Sequence, residues 1–231
     1  RDWSSDVCSS DLTTFLAEAL DTWKKNGVDL KAVDFPTGRD SMQALLAGSA
    51  EFSTATETPV VFAALRGLKP MILMNYSRYS RDMKIVVRTD RGIDPAKPAS
   101  LKGKTIATQV GTSGQYMLFR YCEMAGISPK DLKIVDMSPA DMTVATVRGD
   151  LDGFSWTREA AIVADRQSGG KVAVMSQEGL EKFFRSHELL LVSEKTIKDR
   201  PALLDAGVKA LFDSEDYMRS HPDWQIGRAH V

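Results

Sequence analysis

Two polar corners of this chain hold the residue types that a small anion would need. Gly111-Thr112-Ser113-Gly114 follows a β-rich run and opens an amphipathic segment. Thr112 and Ser113 therefore fall where a helix begins, and unpaired backbone N–H groups converge there with the positive end of the helix dipole. Such a place suits an anionic oxygen group. The competing reading is that these hydroxyls only cap their own helix. At the second corner, Trp156 follows Phe154 and Ser155 at a strand end and leads into Thr157-Arg158-Glu159. Trp156 either walls a pocket or packs in the core. Arg158 offers a forked contact to a carboxylate or sulfonate, or else faces water or pairs with Glu159.

Further residues qualify by position. Ser138, three residues before Asp141, reads first as a capping pair and second as a ligand hydroxyl. Thr56, Glu57 and Thr58 open another helix; Glu57 would meet an ammonium group of a zwitterionic ligand, or stay solvated. Thr37, Gly38, Tyr76 and Ser77 follow strands and are the expected contacts from the opposite side.

The elements that must position these residues alternate in type. Residues 104–108, 133–137 and 151–156 predict strands, separated by helices ending near Gly126 and Gly149. Upstream, residues 15–25 predict an amphipathic helix ended by Asn26-Gly27, and residues 28–35 a strand. A helix over 40–46 ends near Gly48. Strands over 51–55 and 70–75 flank a helix running from Thr56 to Leu65. Residues 84–88 predict another strand, and 201–212 a final helix. The β-α-β-α order predicts α/β architecture with mostly parallel sheets flanked by helices. Ligands of such sheets bind at the carboxyl ends of strands. Residues 92–100, with Pro95 and Pro98, predict a crossing between two lobes, with a return near 189–192. Lobe 1 is thus expected over 13–90 and 188–225, and lobe 2 over 91–187.

The two tails are set apart from this reading. Asp6-Val7-Cys8-Ser9-Ser10-Asp11 can be encoded by GAC GTG TGC TCT TCC GAT, whose reverse complement encodes Ile226-Gly227-Arg228-Ala229-His230-Val231. Residues 1–12 and 226–231 therefore resemble a translated sequencing adapter and are left out of fold reasoning. Without them, 30 − 2 basic residues face 31 − 3 acidic ones, so the net charge moves from −1 to zero. No basic excess points to nucleic acid. Cys122 is then the remaining cysteine, and a disulfide is not expected.

Catalytic readings find little to stand on. Gly111-Thr112-Ser113-Gly114-Gln115 lacks the second glycine of a nucleophile elbow. His187 and His221 are isolated, and neither HExxH, paired cysteines, a phosphate loop nor GxGxxG occurs. Cys122, among Phe119, Tyr121 and Met124, reads as a buried inert thiol. No catalytic residue, metal or cofactor is expected.

In order, several runs resemble the periplasmic solute-binding proteins of ABC importers for nitrate, taurine and other sulfonates, a group related to thiamine-precursor binders. They are Leu101-Lys102-Gly103-Lys104-Thr105-Ile106-Ala107, Gly111-Thr112-Ser113, Ser138-Pro139-Ala140-Asp141 and Gly149-Asp150-Leu151-Asp152-Gly153 leading to Trp156. In the first lobe, Ala44-Leu45-Leu46-Ala47-Gly48 and Thr58-Pro59 agree. The resemblance implies a two-lobed periplasmic-binding-protein-like fold that closes by hinge motion on a small anionic solute in the cleft between lobes. It implies a monomer, periplasmic or lipid-anchored outside the cytoplasm, that works with a membrane permease and not with nucleic acid. Two departures stand out. Relatives usually begin with a strand and loop that contribute to the site, whereas this chain is read from residue 13 after them. The residue after Trp156 is often acidic in relatives but is Thr157 here, followed by Arg158, which leaves the ligand open. The same architecture also occurs in the effector-binding half of LysR-like regulators and in an enzyme of pyrimidine-precursor synthesis, whose cysteine-rich motif is not visible here.

Overall fold

The computed structural model describes residues 12–221, so the tails read as adapter lie, but for Leu12, outside the described residues. In chain order the elements are α1 (Leu12–Ala19), α2 (Thr22–Lys25), α3 (Gly38–Leu46), β1 (Phe52–Thr56), α4 (Glu57–Leu65), β2 (Met71–Tyr79) and β3 (Met83–Arg88). They continue as β4 (Thr105–Thr108), α5 (Ser113–Met124), β5 (Lys133–Asp136), α6 (Pro139–Arg148), β6 (Gly153–Thr157), α7 (Arg158–Ser168) and β7 (Val172–Val174). The chain then forms β8 (Ser186–Val192), α8 (Glu194–Asp199) and α9 (Pro201–Ser220).

The strands make two sheets, one of three strands in the order β1-β8-β2 and one of five in the order β5-β4-β6-β3-β7. In the larger sheet β4 pairs parallel with β5 and β6, while β3 pairs antiparallel with β6 and β7. In the smaller sheet β8 runs antiparallel to both neighbours, so β1 and β2 share a direction. The strands joined by crossover helices are thus parallel, as the alternation of elements implies. The exceptions, β3 and β8, arrive from the other sheet without a crossover helix, and nothing forces them into the parallel sense.

Sheet membership moves the passage between lobes. β2 belongs to the small sheet and β3 to the large one, so the chain crosses at Ser80-Arg81-Asp82 rather than at residues 92–100. Pro95 and Pro98 instead serve a local turn, in which Ser100 Oγ donates to the carbonyls of Asp94 and Lys97. The return is complete before Ser186, ahead of residues 189–192, because all of β8 lies in the small sheet.

Other expectations shift as well. The helix over 15–25 is broken into α1 and α2 by Asp21, whose φ of 53° is left-handed. The strand expected over 28–35 is not formed. Among the described residues no strand pairs with it, and Leu30, Val33 and Phe35 stay exposed. Apolar β-prone residues without a ladder partner do not make a strand. β7 and α8 were not foreseen, and α9 runs past Phe212 to Ser220.

Alternation along the central strands builds the core on both faces of each sheet. Ile85 and Val87 of β3 join Ile106, Met117, Leu118, Tyr121 and Phe184 on one side. Val86, between them, points to the other face with Ala107, Met142, Phe154 and Ala164. In the small sheet, Leu190 packs with Trp23, Tyr76 and Leu211, while Leu189 and Leu191 meet Met42, Leu45, Ala55 and Val60. Each such aliphatic side chain contributes about 1.5–3 kcal/mol by leaving water. Gly38 lets α3 settle on β1, since a Cβ there would lie 2.8 Å from Ala55 Cα. No helix among the described residues is long and apolar enough to cross a membrane.

Candidate functional site

The start of α5 is built to face the small sheet. β4 ends at Thr108, and the turn that follows passes through Gly111 at φ 80°. Asp136, at the end of β5, holds this turn by accepting from Val110 N at 2.9 Å. Thr112 is the N-cap residue, yet its side chain makes no cap hydrogen bond; Oγ1 donates back to the Gln109 carbonyl at 2.6 Å. Ser113 is only 7% exposed. Its Oγ accepts from the Tyr79 hydroxyl at 3.4 Å, a bond from the end of β2 in one sheet to α5 on the other. The sequence reading of Thr112 and Ser113 as plain caps does not hold.

Trp156 fixes the depth of this corner. The indole is partly buried and packs against both core clusters of the large sheet. A Cβ on Gly114 would lie 2.7 Å from Trp156 Cε3, so glycine is required where the helix meets the ring. Ser155 Oγ donates to the Gly114 carbonyl at 2.8 Å and ties β6 to the same turn.

A second bond crosses between the lobes. Arg39, in the first turn of α3, donates from Nη1 to the Val110 carbonyl at 2.7 Å. Its Nε lies 3.5 Å from Asp40 Oδ1. Neither Arg39 nor Tyr79 was singled out from the sequence. Tyr79 had a signal: it lies two residues after Ser77 on the same strand and thus on the same face.

The remaining expected residues divide sharply. Thr37 caps α3, accepting from Asp40 N and donating to Asp40 Oδ2 at 2.8 Å. Ser138 caps α6 in the same way with Asp141. Thr56 begins α4 without a side-chain cap bond. Glu57 is half-buried, and its Oε2 accepts from Ser186 Oγ at 3.0 Å and His187 N at 2.7 Å. It anchors the start of β8. Tyr76 is buried in the core with Trp23 and Leu190, away from any cleft. Ser77 is half-buried opposite Glu188 on β8.

A cavity of about 650 Å³ opens where the two passages between sheets meet. The end of β2 supplies Arg78 and Tyr79 to its wall, and the first passage supplies Ser80, Arg81 and Asp82. Arg158 enters from the β6–α7 corner, and Glu181 and Arg185 from the return passage. Tyr79 lines this cavity and also reaches Ser113, so cavity and α5 start are neighbours. Arg158 is largely exposed, and its Nε stands 3.9 Å from Glu159 Oε1. Burial, then the charge of Asp82, pushes the Glu159 carboxyl above its usual range. Burial lowers the Lys84 ammonium; Asp82 opposes that shift, while Arg158 and Arg81 add to it.

Nothing described equips the region for metal chemistry: no group of three or more metal-binding side chains occurs among the described residues. The Cys122 thiol is buried and pushed up to about 11 by that burial, which leaves it a poor nucleophile.

The chain is similar to known proteins along nearly its whole length. It is 24% identical over 210 residues to the taurine-binding periplasmic protein of Escherichia coli (strain K12), covering 90% of this chain and 63% of that protein. It is 25% identical over 203 residues to a putative aliphatic sulfonates-binding protein of Bacillus subtilis (strain 168), covering 88% and 60%. The chain thus spans less than two thirds of the length of these relatives. Among solved structures, the alkanesulfonate-binding protein SsuA of Xanthomonas axonopodis pv. citri, bound to MOPS, superposes with a TM-score of 0.80 at 21% identity, over 94% of this chain and 74% of that one. The periplasmic aliphatic sulphonate binding protein of Escherichia coli gives 0.74 at 21% identity with the same coverage. The fold is therefore that of the periplasmic binding proteins. Residues 11–224 match the family model described as NMT1/THI5 like, and the chain belongs to that family.

Proposed function

We propose that this chain is the solute-binding part of an ABC-type importer, which closes its two lobes on a small anionic solute and presents it to a membrane permease outside the cytoplasm. The observation that carries the reading is the Tyr79–Ser113 bond, which joins the lobes at the edge of an arginine-lined cavity. The Gly111, Thr112 and Ser113 segment donates to the anion, Trp156 backs the pocket, and Arg158 supplies a forked contact. Thr56, at an uncapped helix start, approaches from the other lobe. Arg39 closes the far side through Val110. Sulfonates, taurine, nitrate and related organic acids form the solute class, in keeping with the names of the relatives. The protein acts as a monomer by binding, without bond-making chemistry. The regulator and enzyme readings draw no support from these relatives, which are named as binding proteins.

Thermal unfolding against alkanesulfonates, taurine, nitrate and aromatic carboxylates tests this. A solute at a hundredfold over its Kd adds ~2.7 kcal/mol, a rise of roughly 5–10 °C for a protein of this size. Cooperative unfolding that none of these solutes moves would refute the reading.

A further inference from the structure

We infer that the cavity between the two passages selects an organic solute with two separate negative charges, such as a sulfocarboxylate or a dicarboxylate, over monoanions and zwitterions. This rests on the solute-binding reading above and narrows it.

Size comes first. A single oxyanion needs little space, whereas about 650 Å³ falls within the ~300–1,000 Å³ typical of pockets for organic ligands. Charge comes second. Arg78, Arg81, Arg158 and Arg185 face Asp82 and Glu181 around the wall, and 4 − 2 leaves a net charge of +2. No ion pair among the described residues engages Arg78, Arg81 or Arg185, and Arg158 has only the 3.9 Å approach of Glu159. Among the described residues no ion pair offsets Arg78, Arg81 or Arg185, and like charges around one cavity repel one another.

Placement comes third. Arg78 lies near the end of β2, Arg81 in the first passage, Arg185 in the return, and Arg158 at the first residue of α7 on the large sheet. These lining arginines come from separate chain segments, and a guanidinium fork matches one carboxylate or sulfonate in a bidentate contact. A solute with an acidic group at each end satisfies two such forks at once. A zwitterion brings an ammonium into a wall where guanidinium groups outnumber carboxylates. Glu57, the carboxylate that the sequence offered for an ammonium, is already held by Ser186 and His187.

Isothermal titration calorimetry of the purified chain at neutral pH and fixed ionic strength, with sulfoacetate, succinate, ethanesulfonate and taurine, decides the matter. At least one dianion should bind ~10-fold or more tighter than ethanesulfonate, with taurine weakest, as complementary charge requires. Arg81→Gln and Arg158→Gln change exposed side chains and should keep the wild-type melting temperature. Each should lower dianion affinity by ~10-fold, the loss expected for one charge-assisted contact; in the Arg81→Gln protein ethanesulfonate affinity should change far less. Ethanesulfonate or taurine binding as tightly as both dianions would overturn this inference and leave the solute-binding reading standing. A dianion preference that survives both substitutions would remove the cavity as its cause. No heat with any of the four solutes would overturn this inference, and the solute-binding reading falls with it only if the wider solute set also leaves the melting temperature unmoved.

Discussion

The starts of α5 and α6 follow neighbouring parallel strands of one sheet and open with the same kind of residue, yet they use it differently. At α6, Ser138 accepts from Asp141 N at 3.2 Å and donates to Asp141 Oδ2 at 2.6 Å. The hydroxyl is consumed by its own helix, as a cap should be. At α5, Thr112 and Ser113 are buried, and neither hydroxyl caps the helix. Thr112 bonds the preceding turn and Ser113 receives Tyr79 from the other sheet. A helix that caps itself is complete. The α5 start has no such side-chain cap from Thr112, and its hydroxyls are bonded elsewhere.

The difference is open to attack by substitution, first at the glycine that permits it. Gly114→Ala places a methyl group against Trp156 and, at 3.0 Å, the Ser155 carbonyl. Overpacking of this kind costs about 1–3 kcal/mol, so the melting temperature should fall by several degrees and solute binding should weaken with it. In α6 the corresponding residue, Ala140, already carries that methyl group, and Ala140→Gly should cost no more than about 1 kcal/mol. A neutral Gly114→Ala protein would break the comparison at its base.

Next come the hydroxyls themselves. Ser138→Ala should lose about 1 kcal/mol of stability in urea unfolding and leave solute affinity unchanged. Ser113→Ala should show the reverse pattern, with stability nearly intact and affinity down by roughly tenfold, the equivalent of one hydrogen bond of about 1.4 kcal/mol. Unchanged affinity for every solute in the Ser113→Ala protein would reduce α5 to an ordinary helix. Tyr79→Phe removes the long bond of 3.4 Å to Ser113. Its effect on affinity should stay below about threefold, since a stretched bond contributes less than a normal one.

The two helices also differ in how far the sequence exposed their roles. The central strands β3 and β4 of the large sheet were legible because strands buried on both faces read as apolar runs, whereas the edge strand β7 was not foreseen. The passage between lobes was not. Pro95 and Pro98 have the look of a linker, whereas the actual crossing, Ser80-Arg81-Asp82, has neither proline nor glycine to mark it. The Ser138 cap could be read locally, since donor and acceptor sit three residues apart. Arg39 and Tyr79 meet Val110 and Ser113 from distant stretches of chain, and only for Tyr79, two residues after Ser77 on one strand, did the local pattern offer a signal. Tyr76 misled for a related reason. Alternation puts it on the face opposite Ser77 and Tyr79, and that face is core.

A third helix start, that of α7, sharpens the contrast through pH. Glu159 sits in its first turn, where the helix dipole favours a carboxylate. Its carboxyl is nevertheless pushed above the ordinary value, first by burial and then by the nearby charge of Asp82, and its buried Oε2 makes no hydrogen bond. Burial outweighs the dipole here. An acid whose folded pKa is raised contributes stability that is fully present below its unfolded value of 4.5 and is lost as pH rises through the folded value. The Glu159→Gln protein, which keeps the shape and never ionises, should therefore be slightly more stable than the parent at neutral pH. Below pH 4.5 that gain should vanish, because both side chains are then neutral. Urea midpoints measured on either side of that pH read the difference directly. An equal shift at both values would mean that ionisation of Glu159 is not what differs. The α7 start, whose N-cap residue Thr157 makes no side-chain cap bond either, would then differ from α6 in capping alone and not in charge.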